Sequence, residues 1–371
     1  FHMNYLNEIL FSVLLLVIFF VSAYLKTSFV LISVMMGTFV SLIYNFYGIQ
    51  FKLGALNIFS ELAIALIFFS LGLGYNVESF FKIIKKSFIG SIIDLLNFIV
   101  PFLFFYLVTK DLFFSFIISL CLYPSSTAIV IKILEFQKKL AGKLADLIIG
   151  ILIFEDIFLI ISLSFLSFFL FNESQTKISS FLYLPIILSL IFLISKTILT
   201  RYSNLIDKYL QEEIGIFFAL GYFLLLFHIC KIFHLPELLV VFLSALSIPK
   251  STSNYVKNKI EHLKNFSIGV FILGFILETK IGQFSISQIS NYTILLALPF
   301  FVVLKILTLN LALKNAGIKY KKEDNLLLVG RGEFSAYIAK IANIDLIAFI
   351  SIFISNFLVF FLFLNKRKQK N

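Results

Sequence analysis

The sequence predicts an all-α membrane protein of about thirteen transmembrane helices, organised as two inverted six-helix repeats with helices 5 and 12 broken. Three observations predict it. Of 371 residues, 60% are hydrophobic and 14% charged, with a mean hydropathy of +1.02, whereas about a quarter of a soluble domain is charged. The apolar residues fall into runs of about 20, the length that crosses a bilayer. Two runs, at matching positions in the two halves, are interrupted by Pro124-Ser125-Ser126-Thr127 and by Gly330-Arg331-Gly332-Glu333.

Phe1 and His2, ahead of Met3, are set aside. The run that follows lacks a basic n-region and a small-residue cleavage site, so it is a first span and not a signal peptide. Helix 1 covers Leu6 to Leu25, helix 2 Phe29 to Tyr47, and helix 3 Leu56 to Leu73, ending at Gly72-Leu73-Gly74. Helix 4, Phe88 to Val108, follows the basic turn of Lys82, Lys85 and Lys86, and Pro101 should kink it because proline removes a backbone donor. Helix 5, Leu112 to Leu134, is broken at Pro124, where the three following hydroxyls can recapture freed backbone groups. Helix 6 is Leu144 to Phe171, helix 7 Phe181 to Leu199, helix 8 Glu213 to Ile229, and helix 9 Leu235 to Leu246, ending before Pro249. Helix 10 spans Phe266 to Leu277 and helix 11 Ile294 to Leu313. Helix 12, Asn325 to Ile341, carries the second break, and helix 13 is Leu346 to Leu364.

The expected organisation is a single membrane domain over 1–371, with repeat one at 6–171, a linker helix at 181–199, repeat two at 213–364 and a basic cytoplasmic tail at 365–371. Thirteen spans put the ends on opposite sides. With the tail inside, roughly 22 Lys and Arg fall in inner loops against roughly six in outer ones, which places the N-terminus outside a cytoplasmic membrane. The net charge of +11 would suggest nucleic acid in a soluble protein. Here it lies in loops as an orientation signal, so the expected surroundings are a lipid bilayer and no nucleic acid. There is no Trp, which leaves the 15 Tyr for the interfacial belt, and two cysteines, Cys121 and Cys230, give no disulfide framework.

The chemistry is concentrated in polar residues at mid-membrane depth. Glu155 and Asp156 lie inside helix 6, where each carboxylate costs about 2.5 to 3.5 kcal/mol at the centre of a span. A rise of about 1.5 Å per residue puts Asp156, Lys305 in helix 11 and Pro124 in helix 5 at similar depths. Paired broken helices mark the binding site of an inverted-repeat transporter. Adjacent helical residues point about 100° apart, so one of the two carboxylates can meet Lys305 while the other faces a cavity. A monovalent cation needs hard oxygens, and Thr127, Ser126 and Ser125 supply them beside a carboxylate. Arg331 and Glu333 can neutralise each other and the dipoles of the crossed half-helices. Burial disfavours a charged carboxylate and a bound cation favours it, so proton and cation compete for one charge.

These residues resemble the Kef-type branch of the monovalent cation:proton antiporter superfamily. The resemblance is carried by Ser125 to Val130, the helix 6 run Gly150 to Ile157, Lys305, Gly330 to Phe334, and Glu61-Leu62 leading to Gly72-Leu73. It implies thirteen helices, a homodimer, and elevator-like movement of helices 4 to 6 and 11 to 13. It also implies Asp156 as the ion and proton carrier, with Lys305 paired to the preceding acid, Glu155. Glutathione-gated potassium efflux members usually carry Gln before the Asp and a cytosolic nucleotide-binding domain. This chain has Glu155 there and runs out after helix 13.

The expected function is exchange of Na+ or K+ for H+, with no cofactor, no resident metal and no enzymatic activity. A cation-coupled solute symporter on a related fold and a cation channel are the alternatives. Asp94 and Asn97 in helix 4 read equally as site contacts or as boundary residues, and Glu61, Asp146 and Glu278 sit near helix ends, where caps and solvated faces are usual. His228, Cys230 and His234 fit no zinc spacing. Gly269 and Gly274 lie in a span and read as packing glycines.

Overall fold

The computed structural model describes residues 2–48, 51, 52, 54, 57–74, 77–140, 142–171, 177–203, 208, 215–232, 235–279 and 292–368. Every regular element among them is helical: α1 (His2–Leu25), α2 (Phe29–Phe46), α3 (Asn57–Gly74), α4 (Val77–Asp94), α5 (Leu96–Thr109), α6 (Leu112–Leu122), α7 (Thr127–Phe136), α8 (Lys143–Phe171), α9 (Lys177–Arg201), α10 (Gly215–Ile232), α11 (Glu237–Leu246), α12 (Lys250–Glu278), α13 (Tyr292–Asn315), a 3-10 turn (Lys322–Leu326), α14 (Glu333–Ala342) and α15 (Asp345–Lys368). Nine stretches among the described residues are long and apolar enough to cross a membrane, and the apolar helices Glu237–Leu246 and Asp345–Phe361 are shorter. Twelve of the thirteen expected helices correspond to a helix or to a pair of half-helices, and helix 12 to the 3-10 turn followed by α14.

Three elements differ from expectation: helix 12 has only the 3-10 turn Lys322–Leu326 ahead of its break, and helices 4 and 10 differ as follows, α4 starting at Val77 so that the expected basic turn of Lys82, Lys85 and Lys86 is helical. Helix 4 is interrupted at Leu95, between α4 and α5, whereas Pro101 lies inside α5. The carbonyl that a proline frees lies four residues back, which for Pro101 is that of Asn97 in the first turn of α5, two residues past Leu95. In that turn Asn97 donates its side-chain amide to Asp94 O at 2.8 Å. Helix 10 begins at Lys250, sixteen residues before the expected Phe266. Its first half is charged, which hides it from a hydropathy reading, but Thr252, Val256 and Ile260 are fully buried at every fourth position, the signature of an amphipathic helix.

The chain packs as two compact units. The first comprises Phe1–Ile58, Ile84–Asp156 and Gly269–Asn371, the second Phe59–Ile83 and Ile157–Ile268. In the first, α5 and α6 form a tight hairpin. Lys110 ends α5 in a left-handed conformation, φ 58°, and Asp111 caps α6 by accepting from Phe114 N at 3.0 Å. This hairpin meets α13 through Phe105, Ile118, Leu122, Leu298 and Phe301. In the second unit, α3 crosses α11 closely: a Cβ on Gly72 would lie 2.5 Å from Phe242 O and 2.7 Å from Ala245 Cβ.

Candidate functional site

The site lies wholly in the first unit, where two interrupted helices meet. Pro124 has no N–H to donate, so α6 stops at Leu122 and the chain runs irregularly to Ser126, which caps α7 with φ −79° and ψ 109°. On the other side the 3-10 turn ends at Leu326, and α14 starts only at Glu333. The stretches between are joined by one backbone bond, Ser126 N donating to Gly330 O at 2.8 Å, and one side-chain bond, Ser125 Oγ donating to Leu328 O at 2.8 Å. Asn356 of α15 secures the second stretch by donating to Arg331 O at 2.7 Å. Glycine is required at the closest approach, since a Cβ on Gly332 would sit 2.8 Å from Ser126 Oγ and 2.9 Å from its Cβ.

Interrupting a helix exposes carbonyls at one end and N–H groups at the other, and each set attracts the opposite charge. The structure follows this rule. Two cations serve the carboxyl end of α6: Lys305 Nζ donates to Tyr123 O at 3.2 Å, and Arg331 Nη1 to Pro124 O at 3.4 Å. Two carboxylates serve the amino end of α7. Glu155 accepts from Ser125 N at 2.5 Å and lies 3.0 Å from Ser125 Oγ, and Glu333 accepts from Ser126 Oγ at 3.1 Å while standing in the first turn of α14. Arg331 thus contacts the carboxyl end of α6 and Glu333 the hydroxyl that caps α7, and no ion pair between the two is seen among the described residues.

Lys305 is fully buried and makes ion pairs with Glu155 at 2.8 Å and Asp94 at 3.1 Å. Its ammonium also lies 5.1 Å from the centre of the Tyr123 ring. Asp156, adjacent to Glu155, is 2% exposed, and its Oδ1 has no hydrogen-bond partner. Thr127 Oγ1 is likewise buried without a partner. The three expected hydroxyls thus divide: Ser125 and Ser126 are engaged by Glu155, Leu328 and Glu333, and Thr127 keeps its oxygen free.

Asp94 and Asn97 belong to this cluster, joined by Thr308 of α13, whose hydroxyl lies 2.8 Å from Asn97 Nδ2. Lys305 and Thr308 are three residues apart on α13, and Asp94 and Asn97 have the same spacing across the break at Leu95, a spacing that the sequence displays. Asn356, an amide in the apolar stretch of α15, gave no comparable signal. The helix-end acids lie elsewhere: Asp146 pairs with Lys86 at 2.8 Å, and Glu278 with Lys340 at 3.8 Å. His228 is held by Leu224 O at 2.8 Å, His234 lies outside the described residues, and no metal-binding cluster occurs among the described residues. Gly269 packs against the Phe29 ring, where an added Cβ would lie 3.2 Å from the nearest ring carbon.

A sequence profile described as "Sodium/hydrogen exchanger, transmembrane" matches residues 9–365. The chain is 25% identical over 352 residues to the ammonium/H+ antiporter subunit AmhT of Alkalihalophilus pseudofirmus, covering 93% of this chain and 88% of that protein. It is 27% identical over 298 residues to the K+/H+ antiporter subunit KhtU of Bacillus subtilis, covering 77% and 71%. Its fold is similar to that of the sodium proton antiporter MjNhaP1 of Methanocaldococcus jannaschii at pH 8, with a TM-score of 0.63 at 16% identity over 97% of this chain and 94% of that one.

Proposed function

The chain belongs to the sodium/hydrogen exchanger family, and from that premise we propose that it is a secondary active antiporter exchanging a monovalent cation for H+ with Asp156 as the shared carboxylate. The observation that carries this reading is the division of labour between adjacent acids. Glu155 is committed to Lys305 and Ser125, whereas Asp156 is buried with an oxygen that no protein donor satisfies. A buried carboxylate in that position is stabilised by a proton or by a cation, and the two exclude one another. The free Thr127 oxygen on the first turn of α7 is the hydroxyl ligand best suited to the cation.

Exchange follows if the core carrying the crossing changes its exposure only when Asp156 is neutralised by one of the two ligands. This is an elevator-type alternating access in which the inverted repeats supply the two equivalent end states. A difference of one pH unit drives the cycle with about 1.4 kcal/mol per proton, and 100 mV with about 2.3 kcal/mol per net charge moved. The similar curated proteins are named for ammonium and for K+, so the class of substrate is the monovalent cation. The proposal includes a homodimer in the cytoplasmic membrane with the N-terminus outside.

Reconstitution into proteoliposomes tests the reading, with Na+, K+ and NH4+ offered separately against a pH-sensitive dye. Wild-type protein should couple cation entry to proton exit, and Asp156→Asn should reduce exchange at least about a hundredfold. Because protons compete for the same carboxylate, acidification should raise the apparent cation KM, by up to about tenfold per pH unit. Cation flux that needs no counter-ion would instead mark a channel, and flux that needs an organic solute a symporter.

A further inference from the structure

Lys305 has three ammonium protons, and three protein acceptors surround it: Glu155 Oε1 at 2.8 Å, Asp94 Oδ2 at 3.2 Å and Tyr123 O at 3.2 Å. Glu155 lies on α8 and Asp94 on α4, so the ammonium is held between carboxylates from two helices. Asp94 is itself 2% exposed and built into place. The helix breaks just after it at Leu95, and Asn97 Nδ2 stands 2.9 Å from Asp94 Oδ1 and 2.8 Å from Thr308 Oγ1, one turn beyond Lys305 on α13. An acid at a mere helix boundary needs none of these supports.

We propose that Asp94 is a second counter-ion for Lys305, a positioning residue that keeps the ammonium in place and compensated when Glu155 changes its charge or its contacts. With Glu155 as sole partner, neutralising that carboxylate would leave a buried ammonium uncompensated, which is strongly unfavourable. With Asp94 present, a neutral Asp94–Lys305 pair persists, and the field that Lys305 exerts on the neighbouring Asp156 stays steady. Asp94 thus acts through Lys305 and does not contact the transported cation. The transport consequence rests on the exchange reading above; the structural one stands apart from it.

The test uses the purified full chain with Asp94→Asn, Asp94→Glu, Glu155→Gln and Lys305→Gln, singly and combined. In proteoliposomes Asp94→Asn should raise the cation KM at least about threefold, with a smaller change in maximal rate per inserted protein, because a negative charge that offsets Lys305 has gone. Asp94→Glu should recover most of that loss. Asp94→Asn combined with Glu155→Gln should lose about tenfold more than the product of the single losses, since the two share one partner. Simple multiplication of the losses would overturn the proposal. The unfolding temperature in detergent gives an arm independent of transport: Asp94→Asn should lower it in wild type and leave it unchanged or higher in the Lys305→Gln background. An equal drop in both backgrounds would overturn the proposal even if the chain exchanges no cation, and the absence of exchange in wild type would count against the functional reading alone.

Discussion

Glu155 and Asp156 are neighbours of nearly identical chemistry, yet one is saturated with donors and the other has a bare oxygen. The cause is the angular step of about 100° between successive helical residues, which turns Glu155 toward Lys305 and Asp156 away from it. Single atoms matter as much at Gly332, where an added methyl would meet Ser126 at 2.8 to 2.9 Å. Ser126 is tied by its N–H to Gly330 and by its hydroxyl to Glu333, so it cannot move aside freely. Gly332→Ala should therefore destabilise the protein by about 1 to 3 kcal/mol, as overpacking does, seen as a lower unfolding temperature. Gly221→Ala is the control: it lies within α10 with nothing within 4 Å of the new methyl, and alanine favours a helix over glycine by about 1 kcal/mol.

Among the elements, the broken helices show how a membrane protein tolerates irregular backbone. Every freed end described above has a charged or hydroxyl side chain on it, and those side chains come from α8, α13 and the opposite break. The C-terminal end of α7 is tied in the same manner. Lys139, just past that helix, donates to both carboxylate oxygens of Asp324 at 2.6 and 2.7 Å, and Asp324 also accepts from Lys321 N at 2.9 Å. The lysine side chain is 29% exposed and the aspartate 0%, so their removal is not symmetrical. Lys139→Met strands a buried carboxylate and should cost about 2 to 4 kcal/mol; Asp324→Asn leaves a lysine that can turn to water and should cost less. Denaturant or thermal unfolding of the two variants compares them. The break at Leu95 was hidden from the sequence because no proline or glycine stands at it, and the long α12 because charged amphipathic turns average out in a hydropathy window.

For the whole molecule, orientation is the property still carried by loop charge alone. Lys110 and Lys319 are both exposed and lie in loops expected on opposite faces. A membrane-impermeant maleimide should label Lys110→Cys in intact cells and Lys319→Cys only after lysis. Cys121 and Cys230 are buried and add little background. The reverse pattern would invert the topology. Membrane class, the succession of helices, the two breaks and the identities of Asp156, Glu155 and Lys305 as intramembrane charges were all determined by the sequence, because hydropathy, proline and insertion cost act over a window of about twenty residues. Only the tertiary structure decided that Lys305 meets Glu155 150 residues away and Asp94 211 residues away, that Ser125 and Ser126 are spent on the crossing, and that Arg331 and Glu333 guard different helix ends. Such partnerships depend on which segments the folded chain brings within hydrogen-bond distance, and no local pattern encodes that distance.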